Sequence, residues 1–173
     1  MRAQFYRVDA FTKRRFSGNP AAVMVVDSFP PEDEMQAVAA ENNLAETAFV
    51  VRTGDDFAIR WFTPTVEVAL CGHATLASAA VVLERLHPNR NEVVFHSASG
   101  ALVVERGRDG LVMDLPVRRC VPAALPEGLA DALGAQPVET MWDGFNYLVR
   151  LREAEEVRRL RPQLDAIAHQ PPV

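Results

Sequence analysis

Residues Ala74 to Leu83 are Ala, Thr, Leu, Ser and Val only. A helix built from them has no polar stripe to turn toward water, so it must be buried and wrapped by the rest of its domain. Cys71-Gly72-His73 opens that helix. The first amides of a helix lack intrahelical partners and carry the positive end of its dipole. That turn is therefore a natural place to hold a carboxylate.

The surrounding chain supplies the wrapping. Gln4 to Phe11 and the apolar run Ala21 to Val26 read as strands, separated by the turn signal Ser17-Gly18-Asn19-Pro20. Pro30 and Pro31 followed by Glu32, Asp33 and Glu34 mark a helix start, with an end near Glu41-Asn42-Asn43. Leu44 to Val51 and Phe57 to Phe62 form a hairpin about Thr53-Gly54-Asp55-Asp56. Beyond the apolar helix, a break at Arg85-Leu86-His87-Pro88-Asn89 leads to strands at Val93 to His96, Ala101 to Glu105 and Leu111 to Leu115. The order β-β-α-β-β-α-β-β-β with one wholly apolar helix predicts an α+β domain whose curved antiparallel sheet wraps that helix. Pro116 through Pro126 reads as a linker. After it, the sequence predicts a helix at Leu129 to Leu133, a strand at Tyr147 to Leu151 and an amphipathic helix from Glu153 to about Leu160.

Bulk properties exclude several functions. With 173 residues, 49% of them apolar, the chain suits one domain or one domain plus part of a second. Eighteen basic against 23 acidic residues argue against a nucleic-acid partner, and the short basic cluster Lys13-Arg14-Arg15 reads as a solvated loop. Two cysteines are too few for a disulfide framework. No apolar signal core opens the chain and no uncharged apolar run reaches ~18 residues. A soluble, cytoplasmic protein with no membrane partner is the expectation.

Glu46 is the leading candidate for chemistry. It sits at a helix-to-strand junction among apolar residues, and a semi-buried carboxylate suits general acid/base work because desolvation favours its neutral form. The alternative is a carboxylate satisfied by local amides. His73 reads as a donor to substrate at the helix start, or else as a capping or core histidine. Two-residue spacing on a helix would point Cys71 and His73 in different directions, which argues against a nucleophile–base dyad. Cys71 reads as a thiolate base or, more simply, as a small apolar packing residue. Cys71, His73, His87, His96 and Cys120 have no standard metal-ligand spacing, so no metal site is predicted.

Four stretches in order are Ser17-Gly18-Asn19-Pro20-Ala21-Ala22-Val23, Asn43-Leu44-Ala45-Glu46-Thr47-Ala48-Phe49, Ile59-Arg60-Trp61-Phe62-Thr63-Pro64 and Glu67-Val68-Ala69-Leu70-Cys71-Gly72-His73-Ala74-Thr75. Together they resemble the PhzF-like phenazine-biosynthesis isomerase family, whose fold is that of diaminopimelate epimerase. The similarity covers roughly residues 4 to 118 and continues more weakly through Asn146 to Leu151. It implies two lobes, each a sheet curled around a central helix, with the site in the cleft between them. It also implies cofactor-free proton transfer on a small anionic metabolite, isomerising it; the apolar surface that an incomplete second lobe should leave predicts a homodimer.

On this resemblance the acid/base residue is Glu46, with His73 as its catalytic companion. Asn19, Gly72, Cys71 and Ala74 are the substrate-binding positions. Ala45 stands where many relatives have serine, and Cys71 where the phenazine enzyme has an acid. The domains implied are a first lobe at 1–118, then a linker and the start of a second, incomplete lobe at 119–173. The family's Glu-Asp-Pro and Gly-Ser-Ala region of the second lobe has no counterpart in the sequence. A truncated chain, or half of a site completed by another chain, is the expectation from that difference. Three readings follow: an isomerase, a catalytically weak binding or dimerisation module, and a Cys71-based racemase.

Overall fold

The computed structural model describes residues 2–14 and 16–169. Met1, Arg15 of the basic cluster and the end of the chain at 170–173 lie outside the described residues. Contacts divide the chain into two compact units, Met1–Leu115 and Pro116–Val173.

The described residues of the first unit form eight strands and two α-helices in the order β1 (Ala3–Ala10), β2 (Asn19–Val26), α1 (Glu32–Asn42), β3 (Glu46–Thr53), β4 (Asp56–Phe62), β5 (Glu67–Val68), α2 (Gly72–Val81), β6 (Glu92–Ser97), β7 (Gly100–Arg106) and β8 (Leu111–Met113). They form one sheet ordered β1-β2-β3-β4-β6-β7-β8, with β5 paired to β4. Helix α2 touches β1 at one end of that order and β8 at the other, besides β2 and β3 between. A sheet whose two ends both reach one helix is curled around it.

The antiparallel expectation needs correcting, because the sheet is mixed. β2 runs parallel to β3, and β4 parallel to β6. Parallel neighbours need a crossover, and the helices provide it: α1 lies between β2 and β3, and α2 between β4 and β6. Hairpins such as β3–β4 are local and carry turn residues in sequence. Parallel pairings are non-local and leave no such mark.

Burial accounts for the apolar runs. In β3, Ala48 and Val50 join the cluster around α2, while Phe49 turns the other way onto Met35 and Ala39 of α1. A strand covered on both faces has no polar alternation to display. Helix α2 is as buried as its composition demands, with Ala74, Thr75, Ser78 and Ala79 fully enclosed. Its two buried hydroxyls are satisfied within the helix, Thr75 Oγ1 donating to the Cys71 carbonyl at 2.6 Å and Ser78 Oγ to the Ala74 carbonyl at 2.7 Å. The helix continues into a π-helical turn at Val82–Leu86, so helical structure runs two residues into the break predicted from Arg85 to Asn89.

Two turns set the strand starts that matter for chemistry. Gly18 has φ +84°, and a Cβ there would collide with the Ala10 carbonyl and press on Thr12, so only glycine closes the β1–β2 connection. Asn43 ends α1 in the left-handed region at φ 48°, its amide bonded to the Ala39 carbonyl. Lys13 and Arg14 are exposed, as a solvated loop requires.

The second unit contains β9 (Val121–Pro122), α3 (Leu129–Leu133), β10 (Glu139–Trp142), β11 (Tyr147–Arg150), α4 (Ala154–Arg159) and α5 (Leu164–Ala168). Its strands are ordered β11-β10-β9. The hairpin β10–β11 is closed by Asp143, whose carboxylate accepts the amides of Asn146 and Phe145. The Asn146 amide in particular holds that carboxyl below its ordinary range. Leu129, Ala132 and Leu151 are its buried apolar residues among those described. No helix among the described residues is long and apolar enough to cross a membrane.

Candidate active site

Glu46 is the first residue of β3 and shares its face with Ala48 and Val50, toward α2. Its placement is fixed from the α1 side, where Asn42 Nδ2 donates to Thr47 Oγ1 at 3.1 Å across the helix-to-strand junction. Its neighbour in the parallel ladder is Ala21 of β2. Asn19 lies two residues before Ala21, so it occupies the same face one strand away.

The other half of the site comes from the segment between β4 and α2. Arg60 anchors that segment, its guanidinium reaching Glu67 twice at 2.6 Å and Glu32 at 2.9 Å, beside the rings of Phe29 and Phe62. The hydrogen bond to Glu67 leads the causes that raise its pKa, so the cation is permanent. Thr63 closes the intervening turn by bonding the Val66 carbonyl and amide. The chain then delivers Cys71 as the residue capping α2.

Glu46, His73 and Cys71 meet at this helix start. Glu46 Oε2 and His73 Nε2 stand 3.2 Å apart, with side chains 19% and 9% exposed. Neither atom has a hydrogen-bond partner, so the contact is close but misaligned. Buried polar atoms are almost always bonded, and each exception needs a reason. Of the three such side-chain atoms among the described residues, the third being Trp61 Nε1, two face each other here.

On the far edge of the ring, His73 Nδ1 lies 3.4 Å from Cys71 Sγ. This contact corrects the expectation that the two side chains diverge. Helical spacing does not apply to Cys71, which has extended backbone at φ −140° and ψ 109° and stands just outside the helix. Burial pushes the Cys71 thiol up to about 11, against the pull of the Ala74 amide; the Glu46 charge raises it further, and the His73 amide opposes. A neutral thiol is neither the nucleophile of a dyad nor the thiolate base of a racemase.

That value has a measurable consequence. Cys120 is exposed while Cys71 is buried, so a thiol reagent at pH 8 is expected to modify Cys120 rapidly and Cys71 only on unfolding. Fast modification of both would contradict it. The sign with pH follows: the folded thiol holds its proton more tightly than the ordinary 9.0, so the stability it contributes is complete below that value and is lost as pH climbs through about 11.

Gly72 and Ala74 differ in what they offer. A Cβ at Gly72 would meet Leu115 and Met113 at 3.7 Å, an ordinary packing distance, so nothing in the packing demands a glycine there. Ala74 has its side chain wholly within the core, which leaves its backbone amide as the part near the site. Ligand atoms of Glu46, Cys71 and His73 lie within 4.8 Å of one another. The sulfur and the carboxylate approach opposite nitrogens of a single ring, however, and one ring nitrogen offers a metal one lone pair.

A carboxylate and an imidazole thus face each other at 3.2 Å, at the start of a buried helix inside a curled sheet. The chain matches the phenazine biosynthesis-like protein family (PhzC-PhzF) over residues 8–172, and it belongs to that family. It is 46% identical over 171 residues to an uncharacterized isomerase of Pseudomonas aeruginosa, which covers 99% of this chain and 66% of the relative. A phenazine biosynthesis-like domain-containing protein of Homo sapiens is 46% identical over 125 residues, 68% of this chain and 43% of the relative. Among solved structures, a PhzF-family phenazine biosynthesis protein of Enterococcus faecalis superimposes with TM-score 0.88 at 37% identity, over 99% of this chain and 66% of the other. A predicted epimerase of Pseudomonas aeruginosa gives TM-score 0.70 at 25% identity, over 94% and 63%. The chain thus spans about two-thirds of the length of the bacterial proteins it matches.

Proposed function

We propose that the protein is an isomerase that moves a proton between carbons of a small carboxylated metabolite, without a cofactor. The observation that carries this reading is the facing pair of partnerless atoms, Glu46 Oε2 and His73 Nε2, at 3.2 Å. A polar pair left unsatisfied in a folded protein is arranged for a third party. Glu46 takes the proton from one carbon and returns it to another. His73 and the amides at the start of α2 hold the anionic group, where the helix dipole favours negative charge. Asn19, on the same face one strand away, adds a contact. The relatives named isomerases and the structural likeness to a predicted epimerase support the reaction class.

Isomerisation conserves mass, and that gives the test. The protein is incubated with a panel of small unsaturated or α-chiral carboxylic acids, and products are followed by mass spectrometry and NMR. The expected result is a substrate whose product has the same formula and a moved hydrogen. Products that gain water or lose a group would overturn the assignment.

A further inference from the structure

We infer that Cys71 is a positioning residue: its S–H donates to His73 Nδ1 and so holds the imidazole as the neutral tautomer carrying its proton on Nε2, facing Glu46. The inference rests on the reading of Glu46 and His73 as the proton-transfer and substrate-holding pair, and it specifies how the second of them is prepared.

Both edges of the ring bear on its protonation. At the Nδ1 edge the partner is a sulfur 3.4 Å away, in a buried setting. Burial keeps the proton on that sulfur. A protonated thiol has a proton to give, and a ring nitrogen that carries none has the lone pair to take it. At the Nε2 edge the neighbour is a carboxylate oxygen at 3.2 Å. If Nε2 carried only a lone pair, it would confront the lone pairs of the Glu46 oxygen; with a proton it is attracted. Both edges select the same tautomer, because the hydrogen bond made by one ring nitrogen decides the state of the other.

The consequence for chemistry is specific. The Nε2–H and Glu46 Oε2 are adjacent yet misaligned for each other, so the N–H remains available to a bound anion or carbonyl oxygen while the carboxylate reaches the neighbouring carbon. A neutral donor stabilises developing negative charge on that oxygen without giving up its proton to it. Serine keeps a donor at position 71, and alanine removes it.

The test is the tautomer itself, read from 15N-labelled imidazole spectra of the protein at neutral pH and assigned with a His73→Asn control. The expected spectrum has an unprotonated Nδ1 and a protonated Nε2 on His73. Cys71→Ser is expected to keep that pattern, and Cys71→Ala to lose it to a mixture of tautomers. Turnover is expected to fall by about tenfold or more in the alanine variant and to recover in the serine variant. A wild-type spectrum with the proton on Nδ1, or on both nitrogens, overturns the inference, and so does an unchanged tautomer in Cys71→Ala. The wild-type spectrum decides even if the alanine variant fails to fold. Failure here is distinct from failure of the functional reading: a Glu46→Gln protein with full turnover would sink that reading and leave the tautomer measurement standing.

Discussion

Glu46→Gln is expected to lower turnover by roughly 10²–10⁴-fold, the range of a removed general acid/base group, while leaving the fold intact. Glutamine has the shape of glutamate but cannot accept a proton from carbon. The carboxylate it replaces makes no hydrogen bond at Oε2, so the substitution breaks none there. Stability should change by less than about 1 kcal/mol. A change in turnover without a change in the far-UV spectrum or the unfolding midpoint is the diagnostic combination. If the variant lost activity only because it unfolded, Glu46 would be a structural residue and the assignment would fail.

The second large effect is on stability and concerns the wrapping of α2. Phe95, in β6, is fully buried in the cluster around the helix, with its ring 6.0 Å from that of Phe57. Phe95→Ala removes a large apolar side chain and leaves a cavity that a curled sheet cannot close by collapsing, at a cost of about 3–5 kcal/mol. Against total stabilities of about 5–15 kcal/mol this is a substantial fraction. With a urea slope of about 1–3 kcal/mol/M, the midpoint should fall by more than about 1 M. An unchanged midpoint would show that the cluster does not hold the helix in place. Activity in this variant should follow the folded fraction and no more, because Phe95 touches neither Glu46 nor His73 in the contacts that define the site.

These two residues also mark what was legible in the sequence. The buried helix was readable because no polar stripe exists between Ala74 and Leu83, and the hairpin β3–β4 because its turn residues are local. Glu46 was readable as a carboxylate among apolar neighbours, and His73 as a side chain at a helix start. Parallel pairing of β2 with β3 was not readable, since the partners are held by a crossover that leaves no local pattern. Strands β5 and β9 escaped because two residues cannot display a period. The Cys71–His73 contact was obscured for a different reason. Helical spacing begins only after Cys71, a capping residue whose backbone is extended. A cysteine at a capping position, with histidine two residues on, was the available signal.

The most direct measurement of proton transfer by Glu46 is solvent deuterium exchange into the substrate carbon, run in D2O for the wild-type protein and for Glu46→Gln side by side. Carbon-bound deuterium should appear with wild-type protein and be absent with the variant. Exchange at an equal rate in both would contradict Glu46 as the group that carries the proton.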